Sequence, residues 1–218
     1  MGARARILVI NPNSNDVVTQ GLAEAVAPLA SPEGPAIDCV TLAEGPFGIE
    51  SQADVESVTL PLARRVARDP ADAYVIACYS DPGLAVCREA TSRPVLGIAE
   101  CGILTAMARG DRFGVIAIRT RSIPRHLRGL RQMGVVSRLA GERALEMSVA
   151  ETASGEGTFA RLVEVGTALR DVDGADAIVL GCAGMARHRA PLEDALGIAV
   201  IDPTQAAVAM ALGILARG

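Results

Sequence analysis

The order of hydrophobic and polar positions in the first half of the chain predicts alternating strands and helices. A short apolar run at 6–11 (RILVIN) precedes a polar, turn-prone stretch at 11–15, and an amphipathic stretch follows at 16–29. A strand, a polar turn and a helix form the βα unit of an open parallel sheet. The same pattern predicts further strands at 37–42, 72–77 and 94–98, and helices at 55–68 and from the turn after Cys78 to about 91.

The second half of the chain repeats this order. Strands are predicted at 112–118, 176–180 and 198–201, and helices at 124–132, 158–169, 191–196 and 205–216. The spacings agree between the halves: Val95 follows Cys78 by 17 residues, and Val200 follows Cys182 by 18. Matched order and spacing are typical of an internal duplication. The sequence therefore predicts an α/β fold of two similar halves with parallel sheets.

We place the first half at 1–98 together with 203–218, because the last helix is expected to pack back on the first sheet. The second half is placed at 99–202. Ala, Val, Leu and Ile must form the core, since the chain has no Trp, two Tyr and three Phe. Such a core is typical of parallel sheets that helices cover on both faces.

The charged residues exclude several classes of function. All 21 basic residues are Arg, so the Lys of a pyridoxal-phosphate Schiff base and the Lys of a Walker-type phosphate loop are both missing. The net charge of −4 and the lack of a basic run speak against nucleic acid as a partner. The N-terminal residues do not read as a signal peptide, and no apolar run is long enough to span a bilayer. We therefore predict a cytoplasmic protein with no membrane association.

The number and spacing of the cysteines indicate free thiols. There are five, an odd number, and none forms a CxxC pair, which argues against a disulfide framework and against a metal site. Three of them are interpreted as small hydrophobic core residues: Cys39 in a strand, Cys87 in a helix, and Cys101. Cys78 and Cys182 differ, because each follows a buried strand at the edge where parallel sheets bind ligands.

Two thiols that face each other across a cleft suit the inversion of a carbon centre. One thiolate removes a proton from one face, and the partner thiol delivers a proton to the other. A free thiol titrates near pH 8.5, and we expect a modest lowering of the pKa from the helix starts after Cys78 and Cys182. The enolate intermediate needs fixed donors, which backbone N–H groups in the turns after both cysteines can supply.

Five segments together resemble the aspartate/glutamate/hydantoin racemase superfamily, and within it the hydantoin and allantoin racemase branch. They are INPNS at 10–14, CYSDPGL at 78–84, PVLGIAE at 94–100, RFGVIAI at 112–118 and GCAGMA at 181–186. The resemblance covers essentially the whole chain. It implies two pseudosymmetric Rossmann-like halves, an active site in the cleft between them, no cofactor, and Cys78 and Cys182 as the acid/base pair. It also implies a homo-oligomer that acts on a small-molecule substrate.

The resemblance also implies a set of substrate contacts. These are Asn11, Ser14, Ser51 in the loop 48–51, Tyr79, Ser80, Ala183 and Gly184. Arg121 follows the strand at 112–118 and is either a ligand for an anionic or carbonyl group or an exposed side chain. His126 and His188 lie in Arg-rich stretches that read as solvated helices, and a catalytic role for either is the alternative. Asp81 is expected to cap the turn or helix after Cys78.

Departures from the family pattern narrow the substrate. Glutamate and aspartate racemases typically carry Asn-Thr after the first cysteine and Thr after the second, where this chain has Tyr79-Ser80 and Ala183. The hydantoin branch more often has Cys-Phe-Gly-Asp-Pro-Gly at the first motif. Arylmalonate decarboxylases keep only the second cysteine, so the presence of Cys78 favours two-base inversion.

The sequence thus predicts a racemase that acts on the acidic carbon of a five-membered ureido ring, a 5-substituted hydantoin or allantoin. Three alternatives stay open at this point. Two are enzymes of the same superfamily, an Asp/Glu-type amino-acid racemase and an arylmalonate-type decarboxylase. The third is a non-catalytic bilobal ligand-binding protein.

Overall fold

Two four-stranded parallel sheets form the framework of the protein, in a computed structural model that describes residues 4–154 and 157–216. The first sheet has the spatial order β2-β1-β3-β4, with β1 (Arg6–Asn11), β2 (Ala36–Thr41), β3 (Ala73–Ile76) and β4 (Val95–Gly97). The second has the order β6-β5-β7-β8, with β5 (Phe113–Ala117), β6 (Leu139–Ala144), β7 (Ala177–Leu180) and β8 (Ala199–Ile201). The predicted α/β fold of two similar halves is confirmed.

Helices connect the parallel strands. They are α1 (Asp16–Val26), α2 (Gln52–Ser57), α3 (Thr59–Arg68), α4 (Leu84–Ala90), α5 (Ile98–Arg109), α6 (Ile123–Met133), α7 (Val149–Ser154), α8 (Thr158–Asp171), α9 (Arg189–Leu196) and α10 (Pro203–Leu215). Short 3-10 turns lie at Ala27–Leu29, Thr120–Ser122, Val136–Arg138 and Ala183–His188. Within 4–154 and 157–216, none of the helices has the length and hydrophobicity needed to cross a bilayer.

Most predicted elements agree with the structure to within a few residues, and the differences have physical causes. The single helix predicted at 55–68 is two helices, α2 and α3, which meet at Val58. The pattern missed β6 because its sequence, LAGERA, is half-buried and lacks a continuous apolar run. It missed α5 because this helix follows β4 without an intervening polar turn.

Equivalent backbone contacts in the two sheets support the duplication. In the first sheet the Arg6 amide donates to Asp72 Oδ2 at 2.9 Å, and the Asp72 amide donates to the Arg6 carbonyl at 2.8 Å. Arg112 and Asp176 repeat both contacts in the second sheet, at 3.0 and 2.8 Å. The central strands also pair in the same register, since Ile7 lies opposite Ala73 as Phe113 lies opposite Ala177.

Strand alternation divides the core of the first half between two layers. Ile7 and Val9 pack into the large cluster that joins both halves, whereas Leu8 and Ile10 face a separate cluster under α3. Helix α10 packs against α5 and the first sheet, and α5 also packs against β7 and β8 of the second. The boundaries 1–98 with 203–218 and 99–202 stay a prediction.

Candidate active site

A small cavity lies between the loops that follow β3 and β7. Cys78 and Ser80 line it from the first half, and Cys182 and Ala183 line it from the second. Its volume is about 30 Å³. Since one water needs roughly 10–15 Å³, the cavity has room for about two water molecules and is too small for a ring in this conformation.

The backbone between β3 and α5 fixes the position of Cys78. Ala77 donates its amide to the Ile10 carbonyl at 2.9 Å, which holds the chain beside β1 up to the cysteine. The following turn brings the Asp81 amide to the Cys78 carbonyl at 2.9 Å, with Asp81 in the left-handed region at φ 42°. The Asp81 carboxylate therefore lies beside the cysteine loop and points to the start of α5.

Asp81 caps α5 and not the turn or helix after Cys78, so that expectation is wrong. Its two oxygens accept the amides of Ala99 at 3.0 Å and Glu100 at 2.9 Å. Gly97 makes this possible, because a Cβ at Gly97 would lie 2.3 Å from Asp81 Cγ. Burial raises the pKa of Asp81 to about 7, against the opposing effect of the two amides.

The second cysteine loop is built on the same plan with different side chains. Gly181 donates its amide to the Ile116 carbonyl at 2.8 Å, and a Cβ at Gly181 would lie 2.5 Å from that carbonyl oxygen. Cys182 then precedes the 3-10 turn Ala183–His188. Asp202 is the N-cap of α10 and accepts the Gln205 amide at 2.7 Å.

Burial dominates the electrostatics of both thiols. It raises the pKa of Cys78 to about 12, while the Ser80 amide and the Arg125 guanidinium act in the opposite direction. Burial also raises the pKa of Cys182, against the Gly184 amide and the Thr152 hydroxyl, whose oxygen lies 3.9 Å from the sulfur. The expected lowering of the pKa by helix starts is wrong for both thiols, because desolvation outweighs the local donors.

Asn11, a predicted substrate contact, organises the turn before α1 instead of lining the cavity. Its Nδ2 donates to Asn13 Oδ1 at 3.0 Å, to the Asn15 carbonyl at 3.2 Å and to Thr19 Oγ1 at 3.0 Å. Asn13 is the residue of this turn that lines the cavity. Ser14 lies on the same turn, where its amide donates to the Pro46 carbonyl at 2.9 Å.

Ser51 and Arg121 also lie outside the lining of the cavity. Ser51 is the N-cap of α2, and its Oγ accepts the Asp54 amide at 3.1 Å. The same loop reaches the cavity through Ile49. Arg121 is a mostly exposed side chain, and its Nη2 donates to Glu50 Oε2 at 2.9 Å.

Glu50 joins the loops of the two halves above the cavity. Its Oε1 accepts the Val149 amide at 3.1 Å, and its Oε2 lies 3.5 Å from Arg119 Nε as well as accepting from Arg121. Ile49 and Val149, next to these contacts, both line the cavity. The loop at 48–51 and the start of α7 therefore cover the two cysteines together.

The remaining predicted contacts gather around the cysteines. Tyr79, Ser80 and Ala183 line the cavity, and Gly184 directs its amide to the Cys182 sulfur. Over 4–154 and 157–216, no group of three or more His, Cys, Asp or Glu side chains is arranged to hold a metal ion.

Two residues of α6 line the cavity, of which the sequence pattern missed Arg125 and predicted His126 at the surface. Arg125 is half-buried, and its Nε donates to Ser80 Oγ at 2.9 Å. His126 is buried, so its expected place in a solvated helix is wrong: its Nδ1 lies 2.5 Å from Glu142 Oε1, and its ring meets the Tyr79 ring edge-on at 5.0 Å. The i, i+4 spacing of His126 and Leu130, both buried, was the available signal for a buried face.

His188 is half-buried outside this cavity. Its ring stacks on that of Phe159, with the ring centres 6.1 Å apart. The expectation of a solvated position therefore holds only for part of its side chain.

Two parallel α/β lobes with a shared cavity between them are the two-domain fold of the Asp/Glu racemases. The chain belongs to the family that has this fold, since the family model described as Asp/Glu/Hydantoin racemase matches residues 7–211. The resemblance inferred from the sequence motifs, and with it the expectation of an isomerase, is confirmed.

Named relatives agree with this family. The chain is 39% identical to a hydantoin racemase from Paenarthrobacter aurescens, over 98% of this chain and 92% of the relative. Among solved structures, it is similar to allantoin racemase from Klebsiella pneumoniae, with a TM-score of 0.92, 32% identity, and coverage of 98% and 89%. Allantoin racemase from Pseudomonas fluorescens has the same TM-score, with 30% identity and coverage of 98% and 92%.

Proposed function

We propose that the protein racemises a five-membered ureido ring, a 5-substituted hydantoin or allantoin, with Cys78 and Cys182 as the acid/base pair. The observation that carries this proposal is the placement of one cysteine from each half at equivalent strand ends on one cavity. The names of the hydantoin and allantoin racemases similar to this chain support the choice of ring.

The proposed reaction inverts the ring carbon that carries the substituent. The thiolate of one cysteine removes the proton from that carbon, and its electron pair passes into the adjacent carbonyl to give an enolate. The thiol of the other cysteine then protonates the opposite face, which exchanges the roles of the two sulfurs. The amides of Ser80 and Gly184 reach the sulfurs themselves, so they stabilise whichever cysteine carries the charge.

Burial of the thiols suits proton removal from carbon. A raised pKa makes the thiolate of Cys78 or Cys182 a stronger base, although it lowers the fraction that is ionised before the substrate binds. At about 30 Å³ the cavity is smaller than a hydantoin ring, so its covering loops move apart when a ring enters. The loop at 48–51 and the start of α7 are the segments that meet above the cysteines.

The lining of the cavity favours a neutral ring over a free amino acid. Ile49, Ile118 and Val149 contribute apolar walls. Among the described lining residues there is no carboxylate to hold the ammonium group of an amino acid, although Arg125 supplies a cation. A hydantoin ring has amide N–H and carbonyl groups but no ammonium group, so it fits this lining better.

Loss of optical activity in deuterated buffer tests the proposal. Enantiopure 5-benzylhydantoin and allantoin are incubated with the enzyme, and the uncatalysed rate is subtracted. We expect deuterium at the inverted carbon, and a loss of about 10²–10⁴-fold in kcat for Cys78→Ser and for Cys182→Ser. Cys39→Ser, a half-buried cysteine outside the cavity, is the matched control and keeps wild-type turnover.

Full turnover in both site variants would contradict the two-cysteine mechanism. Release of carbon dioxide from an arylmalonate without racemisation of hydantoins would favour a decarboxylase instead. Binding of hydantoins without turnover would favour a ligand-binding protein.

The two-thiol reaction requires reduced cysteines, which supports the cytoplasm as the location. A homo-oligomer stays a prediction, to be tested by sedimentation.

A further inference from the structure

We propose that Arg125 is a positioning residue that favours ionisation of Cys78 over ionisation of Cys182, so that Cys78 more readily supplies the base. This inference depends on the two-cysteine function proposed above. It names which cysteine starts the reaction and which side chain decides it.

Arg125 reaches the first-half cysteine from the second half of the chain. Its Nε donates to Ser80 Oγ at 2.9 Å, while the backbone amide of Ser80 donates to the Cys78 sulfur. Arg125 and Cys78 line the same cavity. Ser80 therefore anchors the cation next to the thiol, and a half-buried guanidinium beside the half-buried thiol of Cys78 favours its ionised form.

The equivalent position in the first half carries no charge. Helices α1 and α6 each have 11 residues, and their third residues are Val18 and Arg125. Both side chains line the cavity, and α1 packs against the 3-10 turn that follows Cys182. The duplicated fold thus presents an apolar side chain to one cysteine loop and a cation to the other.

The other charged groups around the two sulfurs do not cancel this difference. Asp81 faces Cys78 and Asp202 faces Cys182, and each accepts amides at a helix start, so each sulfur has one capping carboxylate that opposes its ionisation. Each cysteine also faces the other. Glu50 faces Cys182 as well, which opposes ionisation of that thiol although Glu50 is paired with Arg121.

Among residues 4–154 and 157–216, no carboxylate forms an ion pair with Arg125. Its guanidinium therefore keeps its full charge for the cavity. A second Arg of the helix, Arg128, instead donates to Gln52 Oε1 at 2.6 Å, away from the cysteines. Arg128 is thus a matched control for charge on the same helix.

Competitive alkylation of the two thiols tests the inference without any substrate. The protein is treated briefly with iodoacetamide at pH 8, and peptide mass spectrometry gives the ratio of labelled Cys78 to labelled Cys182. Cys78 is half-buried and Cys182 is buried, so access also affects the ratio, and the change in the ratio between the wild type and each variant reports the thiolate fractions. We expect Cys78 to be labelled faster in the wild type, and Arg125→Gln to lower the ratio by about 10-fold, equal to a pKa shift of about one unit.

Arg125→Lys keeps the cation and should restore most of the ratio, while Arg128→Gln should leave it at the wild-type value. In the pH profile of kcat/KM, the apparent pKa on the acidic side should rise by about one unit in Arg125→Gln and by much less in Arg125→Lys. Circular dichroism establishes that each variant is folded. If Arg125→Gln does not fold, Ser80→Ala replaces it as the test, because it removes only the hydroxyl that anchors Arg125. We expect Ser80→Ala to lower the labelling ratio by less than Arg125→Gln would.

Equal or faster labelling of Cys182 in the wild type would overturn the inference, and so would an unchanged ratio in folded Arg125→Gln. Neither result would affect the two-cysteine function, which depends on the loss of turnover in Cys78→Ser and Cys182→Ser. Conversely, a Cys78-selective ratio in a protein without racemase activity would retain the electrostatic assignment and reject the proposed function.

Discussion

The two cysteine loops share a backbone plan but differ in the side chains that surround each sulfur. In both halves an Arg amide and an Asp carboxylate tie the first strand to the third, at 2.9 and 3.0 Å. In the first half Asp81 leaves the cysteine loop to cap α5, whereas in the second Asp202 caps α10 from its own N-cap position. The two halves therefore share these backbone hydrogen bonds, but the carboxylate that caps the following helix comes from a different position in each half.

The second half also contains a buried polar pair that the first half lacks. Glu142 lies opposite Val115 on β6, and the equivalent residue opposite Val9 on β2 is Cys39. Glu142 Oε1 lies 2.5 Å from His126 Nδ1, and both side chains are almost fully buried. This pair supports the face of α6 that carries Arg125, so the asymmetry of the core and that of the cavity occur on the same helix.

Removal of His126 should give the largest effect on stability. His126→Leu leaves the Glu142 carboxylate buried with neither oxygen bonded, since its Oε2 already has no partner among the described residues. We expect the free energy of unfolding to fall by about 3–5 kcal/mol, as for other buried pairs that lose one member. Urea denaturation measures the change.

Two variants sharpen that comparison between the halves. Glu142→Gln should cost less than His126→Leu, because it leaves no unpaired charge. Cys39→Ser, at the equivalent position in the first half, should cost the least of the three. A loss below about 1 kcal/mol for His126→Leu would show that the pair contributes little.

The second prediction concerns the two capping carboxylates. Burial raises the pKa of Asp81 to about 7 and that of Asp202 to about 6, from about 4 in the unfolded chain. The folded protein then binds protons that the unfolded chain has released, so this contribution to stability is complete below pH 4 and is lost as pH rises through each folded pKa. The slope is at most about 1.4 kcal/mol per pH unit for each group.

Asparagine variants separate the two carboxylates. Asp81→Asn should remove its part of the slope between about pH 4 and 7, and Asp202→Asn should do so between about pH 4 and 6. Urea denaturation across this range measures both. An Asp81→Asn variant with the wild-type slope would mean that this carboxyl group ionises in the folded protein as it does in water.

How much of this arrangement the sequence predicts depends on the range of the interactions. Continuous apolar strands, their spacing and the position of Cys78 and Cys182 at strand ends are local properties, and they led to the correct fold. The capping of α5 by Asp81 links residues 18 apart, and it depends on the room that Gly97 leaves. No local pattern encodes such a contact.

The same reasoning explains why the sequence did not predict Arg125 at the cavity. The Arg-rich stretch contains several arginines that the sequence alone does not distinguish, among them Arg121, Arg125 and Arg128. Only the packing of the two halves directs Arg125 to the cavity and Arg121 to Glu50. The raised pKa of both thiols likewise arises from burial by loops of both halves, which a reading of single strand ends does not include.

The third prediction compares the residue before each cysteine. A methyl group at position 181 would press on the Ile116 carbonyl, so Gly181→Ala should lower the free energy of unfolding by about 1–3 kcal/mol. Ala77 occupies the equivalent position in the first half and tolerates its Cβ, which lines the cavity. Ala77→Gly should cost only about 0.5–1 kcal/mol, through backbone entropy. Equal losses in urea denaturation would contradict the difference in space between the two loops.

The smallest effect is expected from the hydroxyl of Tyr79, which stands where the second loop has Ala183. Its oxygen is buried and has no protein partner among the described residues, whereas Tyr74 donates to the Asp69 carbonyl at 3.0 Å and accepts the Ala71 amide at 3.0 Å. Tyr74→Phe should therefore lower the free energy of unfolding by about 1 kcal/mol, and Tyr79→Phe should leave it unchanged or raise it by up to about 1 kcal/mol.

Urea denaturation and racemase kinetics on the two variants separate a structural from a functional hydroxyl. If Tyr79→Phe is as stable as the wild type but racemises hydantoins more slowly, the hydroxyl acts on the bound ring, and its unpaired state is an adaptation to the substrate. If both tyrosine variants lose the same stability, the Tyr79 hydroxyl has a partner in solution, and the polar difference between the two loops is smaller than the geometry indicates. Unchanged stability and rate would assign Tyr79 to packing against His126 through its ring alone.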